Sequence, residues 1–279
     1  MAWLRVLVLA VLWPGLAVAE ASVNGLRALV TAGRIAPVEA ALQAAVTADM
    51  AGEPDAQRKL FTVFTASAPE IEAFLTGWTT EKPDTSRAQT AMGWHLWKRG
   101  WNMRGEGRAD QVHHDAMRPF MEDHAAALDL AHRAVAADPD LIAASDLLLR
   151  LAASVGEDGP IRIELERVMA RYPNRASLLR AMKSLAPQWR GSPAQVKLLC
   201  ERFAPMVVKV AGHDQAVCAI DAVYAGGFWV GAQRNEVHQL LTVTPNPVLD
   251  YARLEDELAG YGSYVSRIKA LERLWPSVT

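Results

Sequence analysis

Residues 126–140 read AALDLAHRAVAADPD. Alanine and leucine dominate the run, and both are strong helix formers. Ala127, Ala134 and Pro139 stand at spacings of 7 and 5. Small residues seven apart share one helix face, where they let a neighbouring helix approach closely. The proline then ends the helix, because it lacks an N–H and its ring clashes with the preceding turn. The next proline in that role, Pro173 in VMARYPNR, follows 34 residues later.

A 34-residue period and this small–small–proline pattern match the second helix of a tetratricopeptide repeat, in which helix hairpins stack into a solenoid. The second unit is degenerate, since Ile161 and Val168 stand where small residues are expected. The expected fold is therefore all-α: antiparallel helix hairpins stacked as an irregular tetratricopeptide-like α-solenoid, with an irregular helical bundle as the alternative. Working outward, the pattern predicts helices at residues 23–32, 37–50, 54–66, 69–81, 87–103, 109–137, 141–154, 160–171, 175–186, 193–210, 213–225, 231–242, 247–259 and 263–274. Three starts carry a capping-box pattern, in which a serine hydroxyl and a side chain three residues on satisfy orphan backbone N–H groups. They are Ser67 with Glu70, Ser86 with Gln89, and Ser192 with Gln195.

The first residues, MAWLRVLVLAVLWPGLAVA, place Arg5 before a short apolar run that Pro14 interrupts, then small residues at Ala17 and Ala19. That order predicts a signal peptide over residues 1–19, a periplasmic or secreted protein, and one helical domain over residues 20–279. No later stretch has 18 consecutive apolar residues, so no stable membrane span is expected after cleavage. With 51% hydrophobic and 22% charged residues, the chain favours a packed core over disorder. The formal charge is −2 and no basic block stands out, which argues against nucleic acid as a partner.

Several short motifs carry a family resemblance: FLTGW ending at Trp78, KPDTS at residues 82–86, WKRGWNMRG at 97–105 and, above all, PQWRGSP at 187–193. From about residue 55 to about residue 230 the chain resembles the bacterial family called domain of unknown function 4034. The resemblance implies a tetratricopeptide-like helical protein and brings no activity with it. The family favours Trp-Gly-Gly-Ser where this chain has Trp189, Arg190, Gly191 and Ser192, so Arg190 marks a divergence in that turn.

Cys200 and Cys218 lie symmetrically about position 209, near the expected turn between helices 193–210 and 213–225. Facing positions on antiparallel helices can meet disulfide geometry, and an exported protein is oxidised, so a Cys200–Cys218 bridge is expected. Trp94, Trp97 and Trp101 share a helix face at i, i+3 and i+7. Core packing is the favoured reading for them, because each ring carries a large apolar area; an aromatic wall facing a ligand is the alternative. With Arg104, His113, His114 and Trp189 they form the candidate interaction surface.

His113, His114, His124 and His132, with Asp110, Glu122 and Asp123, raise a metal site, but a solvated helix face is favoured because no metal-ligand signature accompanies them. No catalytic residue and no cofactor are read from the chain. The expected role is an envelope interaction module for a protein or peptide partner. Alternatives are a hydrolase-like enzyme with a cleft near residues 90–125, or a structural component of an envelope complex.

Overall fold

A computed structural model describes residues 22–51, 56–105, 112–155, 158–185, 189 and 191–207. Most of those residues are helical, with no strand among them. The helices are α1 (Val23–Thr31), α2 (Ile35–Met50), α3 (Ala56–Phe61) continued by a 3₁₀ turn (Thr62–Thr65), α4 (Pro69–Glu81), α5 (Ser86–Arg104), α6 (His114–Ala137), α7 (Ile142–Val155), α8 (Asp158–Arg171), α9 (Arg175–Ser184) and α10 (Pro193–Val207). Residues 1–21, Cys218 and the four helices expected after residue 210 lie outside the described residues.

Helix positions agree with the expectation to within a few residues, while the caps differ in two of three places. Pro69 takes the first helical position of α4, so Ala68 becomes the N-cap and makes no side-chain cap bond. Ser67 is thereby left outside the helix, where its hydroxyl accepts from Asn102 Nδ2 at 2.6 Å. α5 begins a residue earlier than expected, so Ser86 lies inside it and Thr85 is the N-cap, again without a side-chain bond. Gln89 instead turns back to donate to the Pro83 carbonyl at 2.8 Å. Ser192 does cap α10, accepting from the Gln195 N–H at 3.3 Å. The expected helix over 109–137 is described from His114 onward, with His113 as its N-cap accepting from the Asp115 N–H.

α5 and α6 form the longest hairpin, and the close approach is made by small residues. Ala127, Ala131 and Ala134 of α6 are fully buried. A Cβ on Gly93 of α5 would stand 2.6 Å from Leu147 Cδ2 of α7 and 3.5 Å from the Ala127 carbonyl oxygen. Gly93 is thus the point where three helices meet, which explains a glycine in a helix interior despite its conformational cost. α6 ends at Ala137 with Asp138 as C-cap, directly before Pro139.

The core has two parts that join at α7. One runs from Leu26 to Leu151 and draws on α1 to α7; the other runs from Leu149 to Ala204 and draws on α7 to α10. Every residue from Leu141 to Leu149 is buried, so α7 is apolar around nearly its whole circumference, as a helix enclosed by others must be. Its N-terminus is capped from a distance: Gln57 of α3 accepts from the Ala143 N–H at 3.3 Å and donates to the Asp140 carbonyl at 3.3 Å. Asp49 of α2 holds Gln57 in place, accepting from the Ala56 and Gln57 N–H groups at 2.8 and 3.1 Å. From α5 onward the main packing partners of each helix are the one or two that precede and follow it.

Candidate functional site

α5 projects Trp94, Trp97, Trp101 and Arg104 along one face, and the structure divides this stripe into two groups. Trp94 is buried and its Nε1 donates to the Ala143 carbonyl at 3.0 Å. Trp97 is half-buried and meets Trp94 edge to face, with ring centroids 5.4 Å apart. The guanidinium of Arg150, from α7, lies over both rings at 5.2 Å from Trp94 and 4.8 Å from Trp97. Core packing therefore accounts for Trp94, while Trp97 and Trp101 keep part of their surface exposed.

The second group forms around Trp101. Its ring meets Phe120 at 5.1 Å, His124 at 5.9 Å and Trp189 at 5.7 Å. Arg104 covers Trp101 and Phe120 at 5.0 and 5.8 Å, a cation–π arrangement. Trp189 thus joins the stripe from the far end of the described chain. His113 and His114 do not join it: both are exposed, and His113 caps α6 and lies 3.4 Å from Asp115. Asp110 lies outside the described residues, and among the described residues no group of three His, Cys, Asp or Glu could hold a metal.

Polar groups near residues 90–125 are largely engaged with one another. Arg99 donates to both oxygens of Asp123 at 2.9 and 2.7 Å and to Glu72 at 2.7 Å, and the Asp123 bond raises its already high pKa. His95 donates from Nδ1 to the Phe64 carbonyl at 3.2 Å, and burial lowers its pKa. His124 donates from Nδ1 to the Phe120 carbonyl at 3.0 Å. Burial drives its pKa down to about 4, against the pull of that bond and of Asp123. Among the described residues, Trp101 Nε1 and His124 Nε2 are buried with no hydrogen-bond partner.

The sequence reading missed a charged group at the middle of α7. Asp146 is fully buried and forms a fork-to-fork pair with Arg58 of α3. Arg58 also donates to Asn174 Oδ1 at 3.1 Å and Ser177 Oγ at 2.7 Å, the first of which is the N-cap of α9. Ser177 Oγ stands 3.3 Å from Asp146 Oδ1, and Arg180 Nε 3.8 Å from the same oxygen. Arg150 is one turn beyond Asp146 on α7, and Arg180 lies 6.0 Å from the Trp94 ring. Arg58 and Arg180 thus lie within ion-pair distance of Asp146, with Arg150 one helical turn away against Trp94 and Trp97. The signal was present in IAASDLLLRLAASV, where Asp146 and Arg150 are the only charges in an otherwise apolar helix.

Cys200 is buried in α10; its expected partner lies outside the described residues. A concavity of about 450 Å³ between α8 and α10 is lined by Arg162, Leu185, Leu198, Leu199 and Arg202 among others, and none of the stripe residues reaches it.

Two consequences can be measured. Asp146→Ala leaves a cluster of guanidinium groups without its carboxylate, so urea denaturation should show a loss of about 3–5 kcal/mol, the usual cost of breaking a buried pair. An unchanged midpoint would remove Asp146 from the centre of the fold. His124 is neutral when folded and its pKa is depressed, so the unfolded state takes up a proton first as pH falls. Stability should then be full above pH ~6.5 and decline by on the order of 2–3 kcal/mol down to pH ~4, where the slope ends. His124→Phe should flatten that decline in pH-dependent melting curves; an identical decline would assign it to other groups.

No protein-family model, no curated protein and no solved structure matches this chain.

Proposed function

We propose that the chain is an exported helical binding protein, built as a stack of tetratricopeptide-type hairpins, which recruits a protein or peptide partner on the α5 face. The observation that carries this reading is the stripe itself. Trp97 and Trp101 leave part of their rings exposed, and arginines lie over both. Tryptophan and arginine are the side chains that most often anchor protein interfaces, because each combines a broad apolar face with directed donors.

Packing between near neighbours from α5 to α10, the buried alanines of α6 and the helix end before Pro139 support the stacked-hairpin architecture. The resemblance to domain of unknown function 4034 fits the same architecture and adds no activity. The reading predicts that chemical crosslinking in the native envelope captures a reproducible partner with the wild-type chain. Trp97→Ala with Trp101→Ala should lose that partner while the far-ultraviolet circular dichroism stays helical. Identical crosslinks from both chains, or the wild-type chain recovered alone, would refute docking on this face.

Export and the disulfide belong to the same proposal. Cys200 occupies the buried side of α10, and a bridge from it to Cys218 would tie the chain after residue 207 to that helix. Closing such a loop contributes roughly 3 kcal/mol in the chain-entropy account. Denatured, non-reduced protein from the periplasm should show no mass increase on alkylation and two adducts after reduction. Two adducts without reduction would overturn the bridge.

A further inference from the structure

The two charges of α7 have very different surroundings. Asp146 is fully engaged: Arg58 grips both oxygens, and Ser177 and Arg180 stand close by. Arg150, one turn away, is not. Its Nε is buried without a hydrogen-bond partner, and among the described residues no carboxylate pairs with it. The charges that bear on it are the Arg180 and Arg58 cations and the Asp146 carboxylate that Arg58 already holds. Burial, with the repulsion of Arg180, lowers its pKa to about 10.

Arg150 is half-buried, and its Nε has lost water without gaining a hydrogen bond among the described residues. Burying a charge without a partner is costly, and a similar cation nearby adds to the cost. Leucine or methionine would suit the position better, given the apolar residues on either side of it in α7. The stacking on Trp94 and Trp97 offsets part of that cost and leaves the chemistry available. The rings occupy the flat face of the guanidinium, whereas its N–H donors point outward in the plane, where they can grip an oxyanion with two parallel bonds. Arg180 lies 6.0 Å from the Trp94 ring, to which Arg150 is also stacked, so two cations flank one indole.

We propose that Arg150, backed by Trp94 and Trp97 and flanked by Arg180, anchors an oxyanion group of whatever binds the α5 face. This deepens the docking reading above and rests on it only for the identity of the larger ligand. The chemistry is a group with two coplanar acceptor oxygens, which a peptide carboxylate and a phosphate both supply. Part of the cost of burying the Arg150 guanidinium is then recovered when the anion arrives, because the anion supplies acceptors that Arg150 Nε lacks among the described residues.

The test uses the purified full chain, with inorganic phosphate and N-acetylaspartate as separate probes at constant ionic strength and chloride as the balancing anion. Because Trp94 and Trp97 lie against Arg150, binding should change tryptophan emission saturably, and it should raise Tm as any ligand selective for the folded state does. A response to N-acetylaspartate alone assigns a carboxylate ligand, a response to phosphate alone a phosphate ligand, and either supports the site. Arg150→Met should weaken the response roughly 10- to 100-fold, as loss of charge-assisted bonds predicts. In chloride alone it should melt at the same temperature as wild type or higher. Arg150→Lys keeps the charge without the fork and should bind between the two. The proposal is overturned if neither probe gives a saturable response, or if Arg150→Met responds like wild type. It is also overturned if Arg150→Met melts lower in chloride than wild type while Arg150→Lys does not, since Arg150 would then serve the fold. Crosslinks that survive replacement of Trp97 and Trp101 would defeat the docking reading alone; an Arg150→Met chain that still binds the probes defeats this one alone.

Discussion

The buried pair between Arg58 and Asp146 is the contact on which the rest of the structure depends. It joins α3 to α7 across 88 residues of chain, and through Asn174 and Ser177 it reaches α9 as well. A carboxylate with no exposure to water is tolerable only when its lone pairs are filled, and here a guanidinium fork and a serine fill them. Gln57, next to Arg58 in the chain, satisfies the start of α7 by the same route. One short helix thus holds the central helix in position, and both parts of the apolar core pack onto that central helix.

In some helical cores a buried polar pair fixes register and orientation rather than adding net stability. In the orientation of α7 that brings Asp146 to Arg58, Ser177 and Arg180, Arg150 stands over Trp94 and Trp97. The candidate site is in this sense a by-product of the core: the bond that orients α7 inward carries its second charge to the α5 face.

The α5 stripe shows how much of a site can be read beforehand and where the reading stops. Spacing alone placed Trp94, Trp97 and Trp101 on one face, and that is where they lie. It could not separate the buried ring from the two half-buried ones, because exposure depends on which helix covers each. Trp189 lies almost 90 residues from Trp101 in sequence and packs against it, which no local pattern foretells. His113 and His114 share the sequence neighbourhood of the stripe but point to solvent, since the chain turns into α6 there. Arg58, Arg150 and Arg180 were overlooked for the opposite reason: an arginine in a helical pattern is usually a solvated one.

By itself, the sequence determined that these residues form helices, nearly where each begins and ends, and which side chains share a face. Those properties follow from backbone propensities, proline and glycine, and a periodicity of 3.6 residues, all of them local. Two expected caps failed because a proline at Pro69 and a one-residue earlier start of α5 moved the N-cap, so even local rules compete. Tertiary structure decided which faces meet, and therefore which tryptophans stay accessible, which carboxylate is buried and which arginine is left without one among the described residues. Burial and charge pairing are sums over distant segments of chain, and they come into being only when α3, α5, α7 and α9 are brought together.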